Sequence, residues 1–284
     1  MTRNTAPGPE PCPRPGLTQD KAGAGYWRDV WLREAPEPVD LDDATLRNHI
    51  NLRLGRFFTR HLPPARPGQI LLEAGCGASA WLPVFARRFG YQVMGVDYSE
   101  QGCGLAQAVL RKARVPGEIL RADLFASPAK LRGRADVVFS QGLVEHFTPT
   151  SGVLERLAWL TRPGGLVLTL VPNMRGLTGL LQRLMDKRIY DLHVPLTPAA
   201  LARAHRACGL MPEAWGHLGT LNLGVINCSR WARTPLAHRA LTLALGAPSL
   251  AVWQLERLFK AEWPSNLASP LVYCVARKPC EDGL

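Results

Sequence analysis

The residues of this chain that could do chemistry are acids and histidines placed close to glycines. Glu73-Ala74-Gly75-Cys76-Gly77 sets a carboxyl group two residues before the first of two alternating glycines. Asp97 follows roughly 20 residues after that turn, a spacing at which a carboxylate accepts bonds from two ribose hydroxyls. Glycines at 75 and 77 let the backbone turn at positive φ and let a ligand approach closely. Asp123 and the pair Glu145-His146 come next, then Tyr190 and His193. An imidazole titrates near neutrality and suits proton removal, and Glu145 beside it could orient it. The competing reading of His146 is a structural histidine bonded to backbone or to Glu145. His193 and Tyr190 are second candidates on the acceptor side.

The elements that must hold these groups are legible around them. Ile70-Leu71-Leu72 fits a buried strand ahead of the glycine turn. Trp81, Leu82, Val84, Phe85 and Phe89 then recur at helical spacing, and Val93-Met94-Gly95-Val96 leads into Asp97. Strand, glycine turn, helix, strand and acid make a βαβ unit that holds a nucleoside across the carboxyl ends of parallel strands. Gly75 to Ala80 also passes as a G-x-G-x-x-A dinucleotide fingerprint. Glu73 separates the two readings: an acid there suits a cationic ligand and repels a pyrophosphate.

Leu72-Glu73-Ala74-Gly75-Cys76-Gly77 resembles motif I of the class I S-adenosylmethionine-dependent methyltransferases, with Ser79 where that family has a third glycine. The resemblance implies a set of cofactor contacts at Glu73, Gly75, Cys76, Gly77, Asp97 and Tyr98. At Asp123-Leu124, an acid would take the adenine amino group and an apolar residue would pack on the ring; a helix cap is the plainer reading of Asp123. Ser140-Gln141 at the end of a fourth strand resembles motif IV, and Leu160 with Pro163-Gly164-Gly165 and an apolar strand resembles the family's fifth-strand entry. No Asn-Pro-Pro-Tyr or Asp-Pro-Pro-Tyr occurs, which counts against a nucleic-acid acceptor. Glu145-His146 further resembles the Glu-His pair of quinone-biosynthesis O-methyltransferases. Some of those carry a Glu three residues earlier and a metal; Gly142 stands here, so no metal is expected.

The expected fold is α/β: a doubly wound, Rossmann-like, seven-stranded and mostly parallel sheet with an antiparallel last strand, plus a helical lid and a C-terminal helical insert. Residues 1–25 read as a disordered Pro- and Gly-rich tail, and 26–68 as an N-terminal helical or lid segment. Residues 69–284 form the catalytic domain, with inserts at about 173–195 and 220–266. Tyr26 and Trp27 are candidates to close over cofactor or substrate, or else to cover the core's edge. Residues 40–62 read as one helix, 211–218 and 270–276 as the final strands, and Pro248 as a break between two helices. The C-terminal insert reads first as added core together with an acceptor pocket; a dimer face or a membrane-surface contact are the alternatives.

Composition narrows the field. With 284 residues and 46% hydrophobic content, a core domain plus a cap is affordable. The net charge of +11 comes from dispersed arginines with no long basic run, which reads as a solvated surface; an anionic substrate stays open. Seven scattered cysteines without C-x-x-C spacing favour a reducing cytoplasm and argue against zinc. No apolar run is long enough for a transmembrane helix. The expected activity is methyl transfer from S-adenosylmethionine to O, N or S of a small, partly hydrophobic acceptor. An NAD-dependent oxidoreductase and a noncatalytic nucleoside-binding protein are the rivals.

Overall fold

The structure is a computed structural model that describes residues 18–228, 230–231 and 234–280. The expected tail therefore lies mostly outside the described residues. Its last part, from residue 18, is ordered into a short strand and the first turn of a helix.

Elements run in the order β1 (Gln19–Asp20), α1 (Gly23–Trp31), α2 (His49–His61), β2 (Ile70–Ala74), α3 (Leu82–Phe89), β3 (Gln92–Asp97), α4 (Glu100–Lys112), β4 (Gly117–Arg121) and β5 (Ala135–Gln141). Then come β6 (Phe147–Thr148), α5 (Thr150–Leu160), β7 (Thr161–Pro172), α6 (Leu177–Met185), α7 (Lys187–Asp191), α8 (Pro198–Ala207), β8 (Met211–Leu218), α9 (Pro235–Phe259) and β9 (Leu271–Arg277). The main sheet has seven strands in the order β4-β3-β2-β5-β7-β9-β8. Only β9 runs against its neighbours. This is the expected doubly wound sheet, closed by the expected antiparallel hairpin.

Strand alternation builds a core on each face, because successive side chains point to opposite sides. Leu72, Val138 and Val167 pack with Leu154, Leu157 and Leu201 of α5 and α8. Leu71, Val137 and Phe139 pack with Phe58, Phe85 and Leu110 of α2, α3 and α4. The two clusters clamp the parallel strands so that their carboxyl ends share one edge.

Three local expectations are corrected. The helix expected over 40–62 starts at His49, after a 3-10 turn at Leu46–Asn48. Asp40 and Asp43 side chains accept from Asp42 N and Thr45 N, and such local bonds compete with helix. Pro248 does not split the C-terminal segment: α9 runs through it. The turns that follow the proline are anchored at three points, while Leu245 before it packs on the Leu221–Ile226 loop. Leu223 N donates to Ser249 Oγ at 2.8 Å and Trp253 Nε1 to Leu221 O at 2.7 Å. Arg53 NH2 meets Glu256 Oε2 at 2.8 Å. The Pro-Gly-Gly turn before the fifth strand is absorbed into β7, with a register shift opposite Ala135 and Val137.

The two inserts pack on each other. Leu177, Leu181 and Met185 of α6 meet Leu221, Leu223 and Ile226 of the loop and Leu245 and Val252 of α9.

Candidate functional site

The glycine turn is pinned to the sheet. Gly75 N donates to Val96 O at 2.8 Å and Cys76 N to the same oxygen at 3.2 Å. Gly75 and Gly77 both have positive φ. A Cβ on Gly75 would lie 2.7 Å from Leu143, and one on Gly77 would run into the Trp31 ring. Both positions thus need glycine for conformation and for room.

Asp97 closes the turn from the end of β3. Its Oδ2 accepts from Gly77 N at 2.8 Å and its Oδ1 from Ser99 N at 2.7 Å. Burial raises its pKa while the bonds from Ser99, Gly77 and Tyr98 oppose the rise. Each oxygen keeps a lone pair for a further donor. Glu73 is buried within the turn, where Ser79 Oγ donates to its Oε2 at 2.5 Å. Burial, with Asp97 nearby, pushes the Glu73 carboxyl up to about 8. The residue standing at the family's third glycine therefore partners the motif's acid.

A cavity of about 590 Å³ opens over this edge, within the range of small-molecule sites. Glu73, Gly75, Cys76, Asp97, Tyr98, Asp123, Leu124 and Gln141 line it, eight of the residues the sequence singled out. Gly77 lies one bond away, through its N–H on Asp97. Asp123 also caps a 3-10 turn, accepting from Phe125 N at 2.8 Å, so the plainer reading of it holds alongside cavity exposure. Ser140 is fully buried behind the wall. Ser140 Oγ and Gln141 Oε1 have no hydrogen-bond partner among the described residues.

The acceptor-side candidates fall in two groups. Trp27 is on the cavity wall with Trp31 and Phe147. It stacks on Trp31 at 5.5 Å and meets the His146 ring edge-on at 5.0 Å. Tyr26, Glu145, His146, Tyr190 and His193 are not on the wall. Tyr26 packs against Trp27, and Tyr190 lies beneath Arg183. His146 stands one side chain back, behind Trp27. The cavity mouth is covered by α1; neither insert, 173–195 or 220–266, contributes a wall residue. The inserts pack Leu177, Leu181, Leu221, Leu223 and Leu245 on one another, which leaves the mouth to the tryptophans.

His146 Nδ1 lies 3.1 Å from Leu192 O, so that nitrogen carries the hydrogen and Nε2 is left as an acceptor. Its Nε2 is 3.9 Å from Glu145 Oε1. His193 Nδ1 is likewise satisfied by Ile189 O at 2.8 Å. Burial and the neighbouring His193 lower His146 to about 4. Burial pushes Glu145 up to about 8, and neither of its oxygens has a partner among the described residues. Glu145, His146 and His193 bring one ligand atom each within 4.8 Å of one another. The absence of a metal was expected because Gly142 replaces an acid; the fold brings His193 in as a third donor, a set that could hold a divalent cation.

Residues that sequence reasoning missed tie down the start of α1. Tyr98 OH donates to Asp20 Oδ2 at 3.0 Å, while Asp20 Oδ1 accepts from Ala22 N and Gly23 N at the entry to α1. Lys21 Nζ donates to His193 O at 3.0 Å, and Lys21 N to His146 O at 2.8 Å. The pairing of β1 with β6 completes the strap. An acid just ahead of an aromatic helical run is a helix-start signal, and it stood in the stretch read as tail.

The two raised carboxyls have a consequence for stability. Their ordinary value is near 4.5, and each is pushed up to about 8. Between those values the folded chain keeps protons that the unfolded chain has lost. Stability is therefore fullest below the window and falls as pH rises through it, by at most about 1.4 kcal/mol per pH unit per group. The ligand-free protein is expected to melt several degrees lower at pH 8 than at pH 6. Glu145→Gln, neutral at both values, should narrow that gap in thermal melts; an unchanged gap would mean that Glu145 is ionised throughout.

The sheet order, the glycine turn and the acids at the carboxyl edge define a nucleoside-binding enzyme of the doubly wound class. A family model described as a methyltransferase domain matches residues 46–213, more than half the chain, and the chain belongs to that family. That family is the class I S-adenosylmethionine-dependent methyltransferases, which stands against the NAD-dependent reading. Among curated relatives, the ubiquinone biosynthesis O-methyltransferase of Aeromonas salmonicida (strain A449) is 29% identical over 154 residues, 51% of this chain and 63% of that protein. The protein of the same name from Sinorhizobium medicae (strain WSM419) is 30% identical over 131 residues, 44% of this chain and 50% of that protein. The chain thus spans only half to under two thirds of these relatives' lengths.

Solved structures share the fold. The geranyl diphosphate C-methyltransferase of Streptomyces coelicolor A3(2), bound to Mg2+, geranyl diphosphate and S-adenosyl-L-homocysteine, gives a TM-score of 0.56 at 16% identity, covering 90% of this chain and 96% of that one. Phosphoethanolamine N-methyltransferase 2 of Haemonchus contortus gives 0.53 at 18%, covering 89% and 56%. The [4+2]-cyclase SpnF gives 0.54 at 18%, covering 80% and 81%. One fold carrying C-methylation, N-methylation and cyclisation shows why the acceptor must be argued from the site.

Proposed function

We propose that the chain methylates an oxygen of a small, partly hydrophobic acceptor, with the donor held in the cavity above the glycine turn. The observation that carries this reading is the cavity itself: two buried carboxyls, Glu73 and Asp97, flank one glycine cradle, and Gln141, whose buried Oε1 has no partner among the described residues, lines the same space. That donor and acceptor set fits S-adenosylmethionine. When bound, the cofactor supplies an electrophilic methyl group on a positively charged sulfur. Asp97 would accept the ribose hydroxyls with the lone pairs that Gly77 and Ser99 leave over. Asp123 and Leu124 would meet the adenine, and Tyr98 would close over it. Glu73 and Gln141 would face the cationic amino-acid end.

Oxygen is placed ahead of nitrogen or sulfur because the curated relatives are named as O-methyltransferases. A hydroxyl, like a thiol or an ammonium, has a proton to dispose of. A neutral His146 with its Nε2 lone pair free suits that task. Its depressed basicity makes it an orienting acceptor that draws the proton as positive charge leaves sulfur. Trp27 must move aside for an acceptor to reach it, so α1 serves as a lid that excludes water once closed. The scattered free cysteines fit a reducing cytoplasmic setting.

The test is a screen of phenols and catechols with alkyl chains of increasing length, read as S-adenosylhomocysteine formed. Transfer to amines or thiols alone would overturn the choice of oxygen. The donor site gives its own prediction. With the Glu73 carboxyl near 8 before binding, a cationic donor must drive off its proton at lower pH. Affinity for S-adenosylmethionine is expected to rise between pH 6 and pH 8, by up to about tenfold per unit. Calorimetry in buffers of different ionisation heat should record the released proton. Glu73→Gln should flatten the slope; a flat slope in the unaltered protein would remove Glu73 from the cation site.

A further inference from the structure

The outward face of α9 is apolar and uncovered. Between Arg239 and Glu256 the helix carries no charged residue, a stretch of about 25 Å. A helix that is apolar all round is normally buried. Here only one side is. Ser249 and Glu256 face inward, and Trp253 stacks on His49 of α2. Arg53 bonds Glu256 and Glu262 together, at 2.8 and 2.6 Å, so the rotation of α9 about its axis is fixed. The other side leaves Leu243, Leu250, Leu255 and Leu258 exposed, Leu258 at 72%. Phe259, the last residue of the helix, and Trp263 just beyond it are also exposed. Leu180 and Leu184 of α6, packed beside α9, add to it.

A basic recess of about 480 Å³ lies at the same end. Arg56, Arg60, His61, His217 and Lys260 line it. Its single acid, Glu262, is already paired with Arg53. Lys260 follows Phe259 directly, so the cationic recess adjoins the exposed aromatic end of the apolar face. Exposed leucines along a surface helix, aromatic residues at its end and uncompensated cations beside them match the profile of a bilayer interface, where rings sit at headgroup level and cations meet anionic lipid. No helix among the described residues is long and apolar enough to cross a membrane, so the contact would run along the surface.

We propose that α9 docks this enzyme on an anionic lipid bilayer, its leucines against the acyl boundary and the Arg56–Arg60–Lys260 recess against lipid phosphates. This surface lies apart from the cavity and shares no lining residue with it. The proposal therefore stands or falls separately from the choice of acceptor.

The experiment is flotation of the full chain with two vesicle types, phosphatidylcholine alone and phosphatidylcholine with about a third phosphatidylglycerol. The expected result is flotation with the anionic vesicles at least tenfold above the neutral ones, weakening as salt is raised. Leu243→Asp with Leu250→Asp should abolish flotation. Arg56→Gln with Arg60→Gln, surface changes that leave the leucines intact, should cut it several-fold and keep the fold testable if the first variant does not fold. S-adenosylhomocysteine binding should be unchanged in both. No flotation, or equal flotation with neutral vesicles, would overturn the proposal. So would sedimentation showing a dimer that Leu243→Asp dissolves and that does not bind vesicles, since the face would then be self-associating.

Discussion

Asp97→Ala is expected to lower affinity for S-adenosylhomocysteine by about 10²- to 10⁴-fold while the protein still folds. Two hydroxyl bonds to a buried carboxylate would be lost, each worth about 1.5–3 kcal/mol. The side chain also receives Gly77 N and Ser99 N, at 2.8 and 2.7 Å. Its removal therefore loosens the glycine turn as well as the proposed ribose contact. Asp97→Asn separates the two effects: it keeps an acceptor for one of those amides and loses the charge. Calorimetric titration of both variants, with melts to confirm folding, is the check. Full affinity in Asp97→Ala would remove Asp97 from the ribose.

His146→Ala is expected to cut turnover by about 10²- to 10⁴-fold, the usual contribution of a positioned proton acceptor, with cofactor affinity nearly unchanged. The split between the two readouts matters because His146 is also structural. Its Nδ1 is tied to Leu192 O, its ring supports Trp27, and its backbone oxygen receives Lys21 N. A variant that merely let the lid sag would raise KM and weaken cofactor binding as well as slow turnover. Partial rescue of kcat by added imidazole would point to the proton role. Unchanged turnover would leave His146 as a support for Trp27 and nothing more.

The relation between the strap and the site explains where these two experiments differ. Asp97 belongs to a rigid edge made of parallel strands clamped from both faces. His146 belongs to a 3-10 turn, Val144–His146, that is held by contacts from α1, β1 and the end of α7. Changes in the first are expected to act on binding; changes in the second are expected to act on whatever α1 covers.

The sequence by itself determined the scaffold and the glycine turn at its carboxyl edge. Residues 70–97 carry a short-range code: a buried strand, glycines needing positive φ, a helix and an acid at the next strand's end. Each step is decided by neighbours in the chain, so Glu73, Gly75, Gly77 and Asp97 could be named without a structure. The last two strands were also legible, as apolar runs bounded by turn residues. Less clear were the exact helix starts, since Asp40 and Asp43 satisfy local amides where helical spacing alone suggests a continuous helix.

Only the tertiary structure decided what covers the cavity. Nothing local tells Asp20 to reach Tyr98, 78 residues away, or Lys21 to reach His193, 172 residues away. Nor does local sequence place His193 beside Glu145-His146 or Trp27 in front of them. The fate of α9 was settled the same way. Its composition allowed a core helix, a pocket wall or a surface helix, and Pro248 suggested a break. The buried Arg53–Glu256 pair fixed which side faces in, and so which leucines face out. Pairings of this kind depend on the distance between chain segments after folding, a quantity that residue spacing along the sequence does not carry.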